Sequence, residues 1–233
     1  MLLVADSHIR VGTAAEQEFR SMLSWISSTD YDIAFLGDVL ELWIGLNRFE
    51  KDALAAEFLE WCSREKLRRR VFFLEGNHEY FVVRHHRACF TDAAADELSL
   101  GGVVLAHGDE AQGIPAHHRF RWWSKSWLSH FLLRWLPFAS LIVRRLKRNF
   151  ERKSQLRVPH YPEAAVARWS AECFARHPEA RRLILGHFHL RQEHSWADGR
   201  QTIVLPAWKD SGLVGLLDFS NFQVTIQSWR SLA

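Results

Sequence analysis

Five short motifs rich in histidine and carboxylate side chains recur along the chain, each directly after an apolar run. They are Asp6-Ser7-His8, Gly37-Asp38, Gly76-Asn77-His78-Glu79, His107-Gly108-Asp109 and Gly186-His187-Phe188-His189. In an extended chain alternate residues point to the same side, so both donors of Asp-x-His or His-x-His can face one ion. Carboxylate, amide and imidazole donors without a thiolate favour a catalytic pair of divalent cations over a structural zinc site. Two such ions activate a water molecule and neutralise a phosphoryl transition state, so the motifs predict phosphoester or pyrophosphate hydrolysis.

The first half of the chain alternates short apolar runs with segments of helical periodicity. Strands are predicted over Met1–Ala5, Asp32–Leu36 and Val71–Glu75, with helices over Ala14–Ser27 and about Lys51–Lys66. This alternation is typical of parallel strands joined by helices. Because such sheets place ligands at the carboxyl ends of their strands, the motifs are expected to meet at one edge.

The second half is predicted to contain mainly antiparallel strands. Glycines 101 and 102 join two apolar runs into a hairpin, Leu98–Leu100 and Val103–Ala106, and a helix over Pro162–Arg176 leads into a strand at Arg182–Leu185. Four further strands, all predicted to be antiparallel, follow at Gln192–Trp196, Thr202–Pro206, Leu213–Asp218 and Gln223–Trp229. The prediction is a single α/β domain over residues 1–233.

Composition excludes several classes of protein. Of 233 residues, 48% are hydrophobic and 24% charged, which is the balance of a soluble globular domain and excludes collagen-like, coiled-coil and disordered chains. The three cysteines, an odd number, argue against a disulfide framework and for a reducing compartment. The first apolar run already has the pattern of a strand, so no secretory signal is expected and the protein is predicted to be cytoplasmic.

A basic, tryptophan-rich segment over residues 114–159 is predicted to be a helical lid inserted into the domain. From Arg119 to His160 there are eleven lysines or arginines and one acid, a local charge of +10, which leaves −7 elsewhere because the net charge is +3. Its longest apolar run, 131–143, contains Arg134 and Pro137 and falls short of the ~20 residues that cross a bilayer. Aromatic helices followed by a basic cluster are typical of a surface that rests on anionic lipid, so an anionic membrane surface is the predicted partner.

The five motifs, in this order and after these strands, resemble the calcineurin-like metallophosphoesterase superfamily. The resemblance implies an α/β fold, a four-layer α/β/β/α sandwich. It also implies two divalent metal ions, which are expected to be manganese, with iron or zinc as the alternatives. It implies that Asp6, His8, Asp38 and His189 hold the first ion and that Asp38, Asn77, His107 and His187 hold the second, with Asp38 bridging. It also implies that the candidate catalytic residue His78 helps to hold the phosphate, and it leaves two roles open for this side chain, a phosphate ligand alone or also a proton donor to the leaving group.

Within the superfamily the sequence resembles the pyrophosphatases of lipid A synthesis that act on UDP-2,3-diacylglucosamine. Four features carry this resemblance: the run Gly37 to Gly45, the pair Phe120-Arg121, the helical segment between the fourth and fifth motifs, and Leu205-Pro206-Ala207-Trp208-Lys209. It implies a nucleotide-linked glycolipid substrate cleaved to UMP and a diacylated sugar phosphate, at the cytoplasmic face of the inner membrane. The candidate substrate-binding residues are Asn77, Arg121, Arg152, Lys153 and His187. The chain departs from the common proteobacterial form at His78 and Glu79, where that form usually has Arg and Asp.

Two other functions remain open from the residues. A metallophosphoesterase of the same fold could act on a soluble phosphodiester, nucleotide or phosphoprotein, and the fold could persist as a binding module without turnover. The complete set of seven ligand-type residues argues against the second alternative. No nucleic-acid partner is expected, because the long aliphatic run of the insert fits acyl chains better than bases. The sequence does not determine an oligomeric state.

Overall fold

The computed structural model describes residues 1–49, 53–156 and 160–233, with side chains except at 116–118 and 150–156. The strands in chain order are β1 (Leu2–Val4), β2 (Ile33–Phe35), β3 (Trp43–Ile44), β4 (Val71–Leu74), β5 (Glu79–Tyr80), β6 (Asp92–Ala94), β7 (Glu97–Leu100), β8 (Val103–Ala106), β9 (Arg182–Leu185), β10 (Gln192–Ser195), β11 (Gln201–Val204), β12 (Leu213–Asp218) and β13 (Gln223–Ser228). The helices are α1 (Ala14–Ser27), α2 (Ala53–Glu65), α3 (Val82–His86), α4 (Pro115–Ser124), α5 (Trp127–Trp135), α6 (Ala139–Leu156), α7 (Glu163–Arg176) and α8 (Trp208–Ser211).

Two mixed sheets form the centre of the molecule. The first has the order β13-β12-β1-β2-β4-β6, and its strands β1, β2, β4 and β6 run parallel. The second has the order β10-β11-β9-β8-β7, in which β9 runs parallel to both β8 and β11. The sequence prediction that β11 pairs only in antiparallel fashion was therefore wrong, because the β10–β11 hairpin folds back so that its second strand lies beside β9.

Each sheet buries one face against the other sheet and one against helices. In β1, Leu3 points into the apolar layer between the sheets with Leu36 and Leu105, whereas Leu2 and Val4 point toward α1 and α2. On the far side, Cys173 and Phe174 of α7 cover the outer face of the second sheet. The four-layer α/β/β/α sandwich is confirmed.

Helix α1 shows how local sequence fixes an element at its predicted bounds. The Thr13 side chain accepts a hydrogen bond from the backbone N–H of Glu16, which satisfies one of the free donors of the first turn. Phe19, Met22 and Ile26, at helical spacing, are buried against the first sheet. The cap and the apolar stripe agree, and the helix occupies Ala14–Ser27 as predicted.

Candidate dimetal site

The five motifs follow β1, β2, β4, β8 and β9, and the carboxyl ends of these strands lie side by side. Backbone hydrogen bonds join the loops: His8 N–H donates to the Asp38 carbonyl (2.8 Å), and Gly186 N–H donates to the His107 carbonyl (2.9 Å). Close approach of these loops requires glycine at position 76, where a Cβ would lie within 2.6 Å of the Asp38 nitrogen. The predicted convergence of the motifs is what the structure shows.

The first cluster contains Asp6, His8 and His189. Their ligand atoms lie within 4.8 Å of one another. His8 Nε2 is 3.1 Å from His189 Nε2, and Asp6 Oδ1 is 3.9 Å and 3.6 Å from the same two nitrogens respectively. All three side chains are almost completely buried.

The second cluster contains Asp38, Asn77, His107 and His187. His107 Nε2 lies 3.4 Å from Asp38 Oδ2, 3.2 Å from Asn77 Oδ1 and 3.2 Å from His187 Nδ1. The same Asp38 Oδ2 is 3.6 Å from His8 Nε2 of the first cluster. Asp38 therefore lies between the clusters, in the position of a bridging carboxylate.

These two clusters fit a pair of divalent cations. Atoms that ligate one zinc-sized ion at about 2.1 Å are separated from each other by about 3.0–3.4 Å, close to the spacings found here. Asp38 Oδ2 is buried and accepts no hydrogen bond from the described part of the chain. Burial alone would raise the pKa of Asp38, but the surrounding imidazoles of His78 and His107 hold it well below its usual value. The carboxylate thus attracts positive charge to this point, which a metal ion supplies better than a proton does.

Five of the seven candidate ligands have a left-handed backbone. The φ angles of Asp6, His8, Asp38, His187 and His189 lie between 43° and 70°. Such angles are uncommon for residues other than glycine and cluster at functional sites, where the surrounding structure holds the strain. The backbone therefore aims these side chains inward at an energetic cost.

His78 lies beside both clusters, and its ligand atom is within 4.8 Å of those of His8 and Asp38, so these three side chains form a further possible metal-binding group. Its Nδ1 lies 2.6 Å from the Glu41 carbonyl, which can only accept, so Nδ1 carries a proton. Its Nε2 lies 3.9 Å from Asp38 Oδ2, and its backbone N–H donates to Asp38 Oδ1 at 2.8 Å. The imidazole therefore presents Nε2 toward the ligand atoms of Asp38 and His8.

Curated proteins similar to this chain share one name and match it over most of its length. No family model matches the sequence. A protein of Shewanella loihica named UDP-2,3-diacylglucosamine hydrolase is 26% identical over 234 residues, covering 97% of this chain and 95% of that protein. One of the same name from Pseudomonas paraeruginosa is 26% identical and covers 91% of this chain and 92% of its own. Among solved structures, an archaeal phosphodiesterase superposes with a TM-score of 0.49 at 12% identity, covering 97% of this chain and 99% of the other.

These full-length relatives are hydrolases, and the ordered motifs meet at one site of the sandwich. In its ordered motifs and its sandwich architecture the chain resembles the calcineurin-like metallophosphoesterase superfamily. It is a hydrolase whose clustered histidine and aspartate side chains could hold divalent metal ions. The identity of the ions and the role of each ligand residue remain predictions.

Glu79 holds together two loops of the candidate metal site, a role that the motif spacing did not indicate. Both of its oxygens accept backbone hydrogen bonds, from the N–H groups of Asp38 (2.7 Å), Val39 (2.7 Å) and Gly76 (2.6 Å). Burial first, and then the charge of Asp38, raise the pKa of Glu79 to about 8. One buried carboxyl group thereby joins the loops that carry Asp38 and Asn77.

Replacing this carboxyl group is expected to destabilise the whole site. Glu79→Ala leaves three buried N–H groups without an acceptor, at about 1–3 kcal/mol each, so we expect a loss of about 3–5 kcal/mol in unfolding free energy. Urea denaturation of the metal-free protein measures this loss. Glu60→Ala, on the exposed side of α2, is the matched control and should change stability by less than about 0.5 kcal/mol. A Glu79→Ala variant as stable as the control would contradict this supporting role.

The candidate substrate-binding residues have different surroundings. Asn77 and His187 lie in the second cluster. Arg121 forms ion pairs with Asp109 (2.6 Å), Glu110 (3.0 Å) and Asp96 (2.6 Å), and only 12% of its side chain is exposed. Its guanidinium group thus fastens α4 to the body of the enzyme, and a contact with substrate stays a prediction. The side chains of Arg152 and Lys153 lie outside the described residues.

Helices α4–α6, which we call the insert, are fastened beside the metal-ligand loops. Lys125 Nζ donates to the Gly76 carbonyl (2.9 Å), next to Asn77. Arg48 Nη1 donates to three carbonyls at the end of α5, those of Leu133, Arg134 and Leu136. Leu133 and Val143 pack against an apolar cluster with Ile44 and Phe81.

The opposite surface of the insert is apolar and exposed. Its exposed large apolar residues include Trp122, Trp123, Trp127, Phe131, Trp135, Phe138, Leu141 and Ile142. Large exposed apolar patches mark binding surfaces for proteins, ligands or membranes, and all of these residues except Phe138 lie on the consecutive helices α4, α5 and α6. No helix of the described chain is both long and apolar enough to span a bilayer.

Proposed function

We propose that this enzyme hydrolyses the pyrophosphate bond of UDP-2,3-diacylglucosamine, giving UMP and 2,3-diacylglucosamine 1-phosphate. The observation that carries the proposal is the bridging position of Asp38 between two clusters of buried ligands, beside an insert with exposed aromatic side chains. Relatives of this name match the chain over more than nine-tenths of its length. The ligand clusters supply the hydrolytic chemistry, and the apolar surface suits a substrate with acyl chains.

In this mechanism Asp6, His8, Asp38 and His189 would hold the first ion, and Asp38, Asn77, His107 and His187 would hold the second. Such a pair of divalent ions would supply activation of a water molecule and neutralisation of charge on the phosphoryl oxygens. Manganese is the proposed ion, since mixed oxygen and nitrogen donors accommodate it. His107 Nδ1–H donates to the Leu36 carbonyl at 2.8 Å, which fixes the tautomer that presents Nε2 to the site.

His78 holds the phosphate and donates a proton to the departing sugar phosphate. Its Nδ1–H is anchored on the Glu41 carbonyl, so an imidazolium would present the Nε2 proton to the ligand clusters. The same anchor fixes the ring, because a hydrogen bond of 2.6 Å restricts its rotation. Orientation by the backbone is what allows one side chain both to bind the phosphate and to transfer a proton.

Replacing His78 should therefore slow turnover and leave the metal content unchanged. We expect His78→Gln to reduce kcat by about 10²-fold or more, the range for loss of a general acid. The loss should be larger for a nucleotide phenyl ester than for the p-nitrophenyl ester, because phenol is the poorer leaving group. Steady-state kinetics on both esters and metal analysis measure these effects. Equal losses of kcat on both esters would contradict proton donation by His78 and leave phosphate binding as its role.

The insert, residues 114–159, acts as a lid that receives the acyl chains, and it brings the enzyme reversibly to an anionic membrane. The exposed aromatic side chains of α4 and α5 are followed in α6 by Arg144, Arg145, Lys147 and Arg148. Each basic residue close to an anionic surface contributes about 1 kcal/mol to binding. The proposed location is the cytoplasmic face of the inner membrane.

Phosphorus NMR of the manganese-loaded enzyme with UDP-2,3-diacylglucosamine tests the proposed reaction. UMP should form with the wild-type enzyme and not with Asp38→Asn. Hydrolysis of bis(p-nitrophenyl) phosphate without cleavage of the glycolipid would contradict the substrate and retain the phosphoesterase. In that case a soluble phosphodiester, nucleotide or phosphoprotein becomes the substrate to seek.

A further inference from the structure

A second group of metal-ligand side chains lies on the helix-covered face of the five-stranded sheet. Glu97 begins the edge strand β7, and Cys173 and His177 come from the last turn of α7 and the residue that follows it. Because they are four residues apart, Cys173 and His177 lie one above the other on the same side of the helix. Leu98 points between the two sheets, so its neighbour Glu97 points outward, toward α7.

The donor atoms of this group have the spacing of a metal shell. Glu97 Oε2 is 3.3 Å from Cys173 Sγ and 3.6 Å from His177 Nε2, and the three ligand atoms lie within 4.8 Å of one another. Around a tetrahedral zinc ion with a Zn–S bond of about 2.3 Å and Zn–O and Zn–N bonds of about 2.1 Å, neighbouring ligands are about 3.4–3.6 Å apart. The two closest spacings thus need little adjustment.

We propose that Glu97, Cys173 and His177 form a transition-metal site, separate from the dimetal centre, that takes zinc. Thiolate, imidazole and carboxylate together favour zinc over manganese, whereas none of the seven residues of the dimetal centre offers sulfur. Cys173 is completely buried, but about a quarter of each of the other two side chains is exposed, which leaves room for a water as fourth ligand. The ion would clamp the edge strand β7 to helix α7.

Surrounding charges are compatible with this site. His177 Nδ1 lies 3.8 Å from Glu179 Oε1, so a second carboxylate adds negative charge beside the imidazole. Arg176 bonds both oxygens of Glu97, with Nε 3.2 Å from Oε1 and Nη2 3.3 Å from Oε2. A metal ion on Oε2 displaces the second contact and leaves the first in place. Because 46% of the Arg176 side chain is exposed, the guanidinium group can withdraw into solvent.

Metal binding releases one proton from this site. Burial first, and then the neighbouring Glu97, raise the pKa of the Cys173 thiol to about 12. The thiol therefore donates its hydrogen to Glu97 in the metal-free protein, and the S–H proton must pass to buffer as the S–metal bond forms.

Cobalt substitution tests the site, because sulfur bound to Co²⁺ gives a near-ultraviolet charge-transfer band that nitrogen and oxygen ligands do not give. Metal-free protein titrated with Co²⁺ should develop this band in the wild type and in the control Cys89→Ser, a half-buried cysteine outside the group. The band should be absent in Cys173→Ser. In His177→Gln, which keeps the thiol, Co²⁺ affinity measured by the band should fall at least about tenfold.

Absence of the band in wild-type protein that binds Co²⁺ would overturn the proposal. Its persistence in Cys173→Ser would do the same, because the sulfur would then come from another cysteine. If Cys173→Ser does not fold, by circular dichroism, the His177→Gln titration decides, and unchanged affinity there rejects the site. Catalytic activity takes no part in this measurement, so its result is independent of the proposed function.

Discussion

Asp38→Asn is expected to lower kcat by about 10³-fold and to abolish stoichiometric binding of the metal pair. Asp38 Oδ2 lies 3.4–3.9 Å from the Nε2 atoms of His8, His78 and His107. Asparagine keeps the shape of the side chain and one oxygen but removes the charge that both cation positions share. Metal ions stabilise transition-state charge by several kcal/mol, and a loss of about 4 kcal/mol corresponds to a factor near 10³ in rate.

The two effects are measured separately. Hydrolysis of bis(p-nitrophenyl) phosphate with added Mn²⁺ gives the rate, and elemental analysis after dialysis gives the metal content. Mn²⁺ should raise the Tm of the wild-type protein and leave that of Asp38→Asn nearly unchanged, because ligands that bind only the folded state stabilise it.

Asp32→Asn is the matched control for this substitution. Asp32 precedes the same strand, β2, that Asp38 follows, and it pairs with Arg70 at 2.6 Å away from the ligand clusters. Its replacement should leave kcat and metal content within about twofold of the wild type. If Asp38→Asn retained two metal ions and more than a tenth of the activity, the bridging role would be rejected.

The positions of the ligand motifs could be predicted because one physical rule governs all of them. Parallel strands end at a common edge, so residues after β1, β2 and β4 must meet, even though the first and last of them, Asp6 and Asn77, lie 71 positions apart in sequence. The strand at Arg182–Leu185 has the predicted bounds, because its buried apolar run stops where Gly186 begins the loop.

Short elements without an apolar signature escaped prediction. Strand β6 is Asp92-Ala93-Ala94, three small or polar residues that form a strand because β4 presents a free edge to them. Helix α8, Trp208–Ser211, is a single turn that interrupts the extended segment. Tertiary pairing, and not local propensity, decides elements of this length.

The environment of Arg121 shows a different limit of prediction from sequence, because the partners of a charged side chain depend on the tertiary fold. Its position after the fourth motif favoured a contact with the anionic substrate, but its partners Asp96, Asp109 and Glu110 could be identified only from the folded structure. Three carboxyl groups hold the guanidinium group, and their charges raise the pKa of Arg121 further. Deleting the segment from Arg121 onward would therefore disturb the body as well, so surface substitutions are the cleaner test of the insert.

The exposed face of α5 is suited to such a test. Trp127, Phe131 and Trp135 follow one another at intervals of four residues, so they lie along one side of the helix. They are 73%, 52% and 66% exposed, whereas Ser129 and His130 on the other side are buried. Replacing the three aromatic residues removes apolar surface without opening a cavity.

The triple variant Trp127→Gln, Phe131→Gln, Trp135→Gln is expected to raise KM for UDP-2,3-diacylglucosamine by about 10²-fold. Full burial of one large apolar side chain contributes about 1.5–3 kcal/mol, and partial burial of three against acyl chains gives roughly 3 kcal/mol. Glutamine is tolerated in helices, so α5 should persist. Turnover of bis(p-nitrophenyl) phosphate, which has no acyl chain, should remain within about twofold of the wild type, and sedimentation with anionic vesicles should weaken in parallel with the rise in KM.

Leu67→Gln is the matched control, since Leu67 is 82% exposed after α2 and lies outside the insert. It should change neither KM nor vesicle binding. If the triple variant lost both activities equally, its effect would lie in the fold or the metal site, since only the acylated substrate needs the apolar surface. If it lost neither activity nor vesicle binding, the insert would have no acyl-chain role. Because the three side chains are exposed in the free enzyme, a selective loss on the glycolipid points to a surface that becomes buried only when an acyl chain or a bilayer covers it.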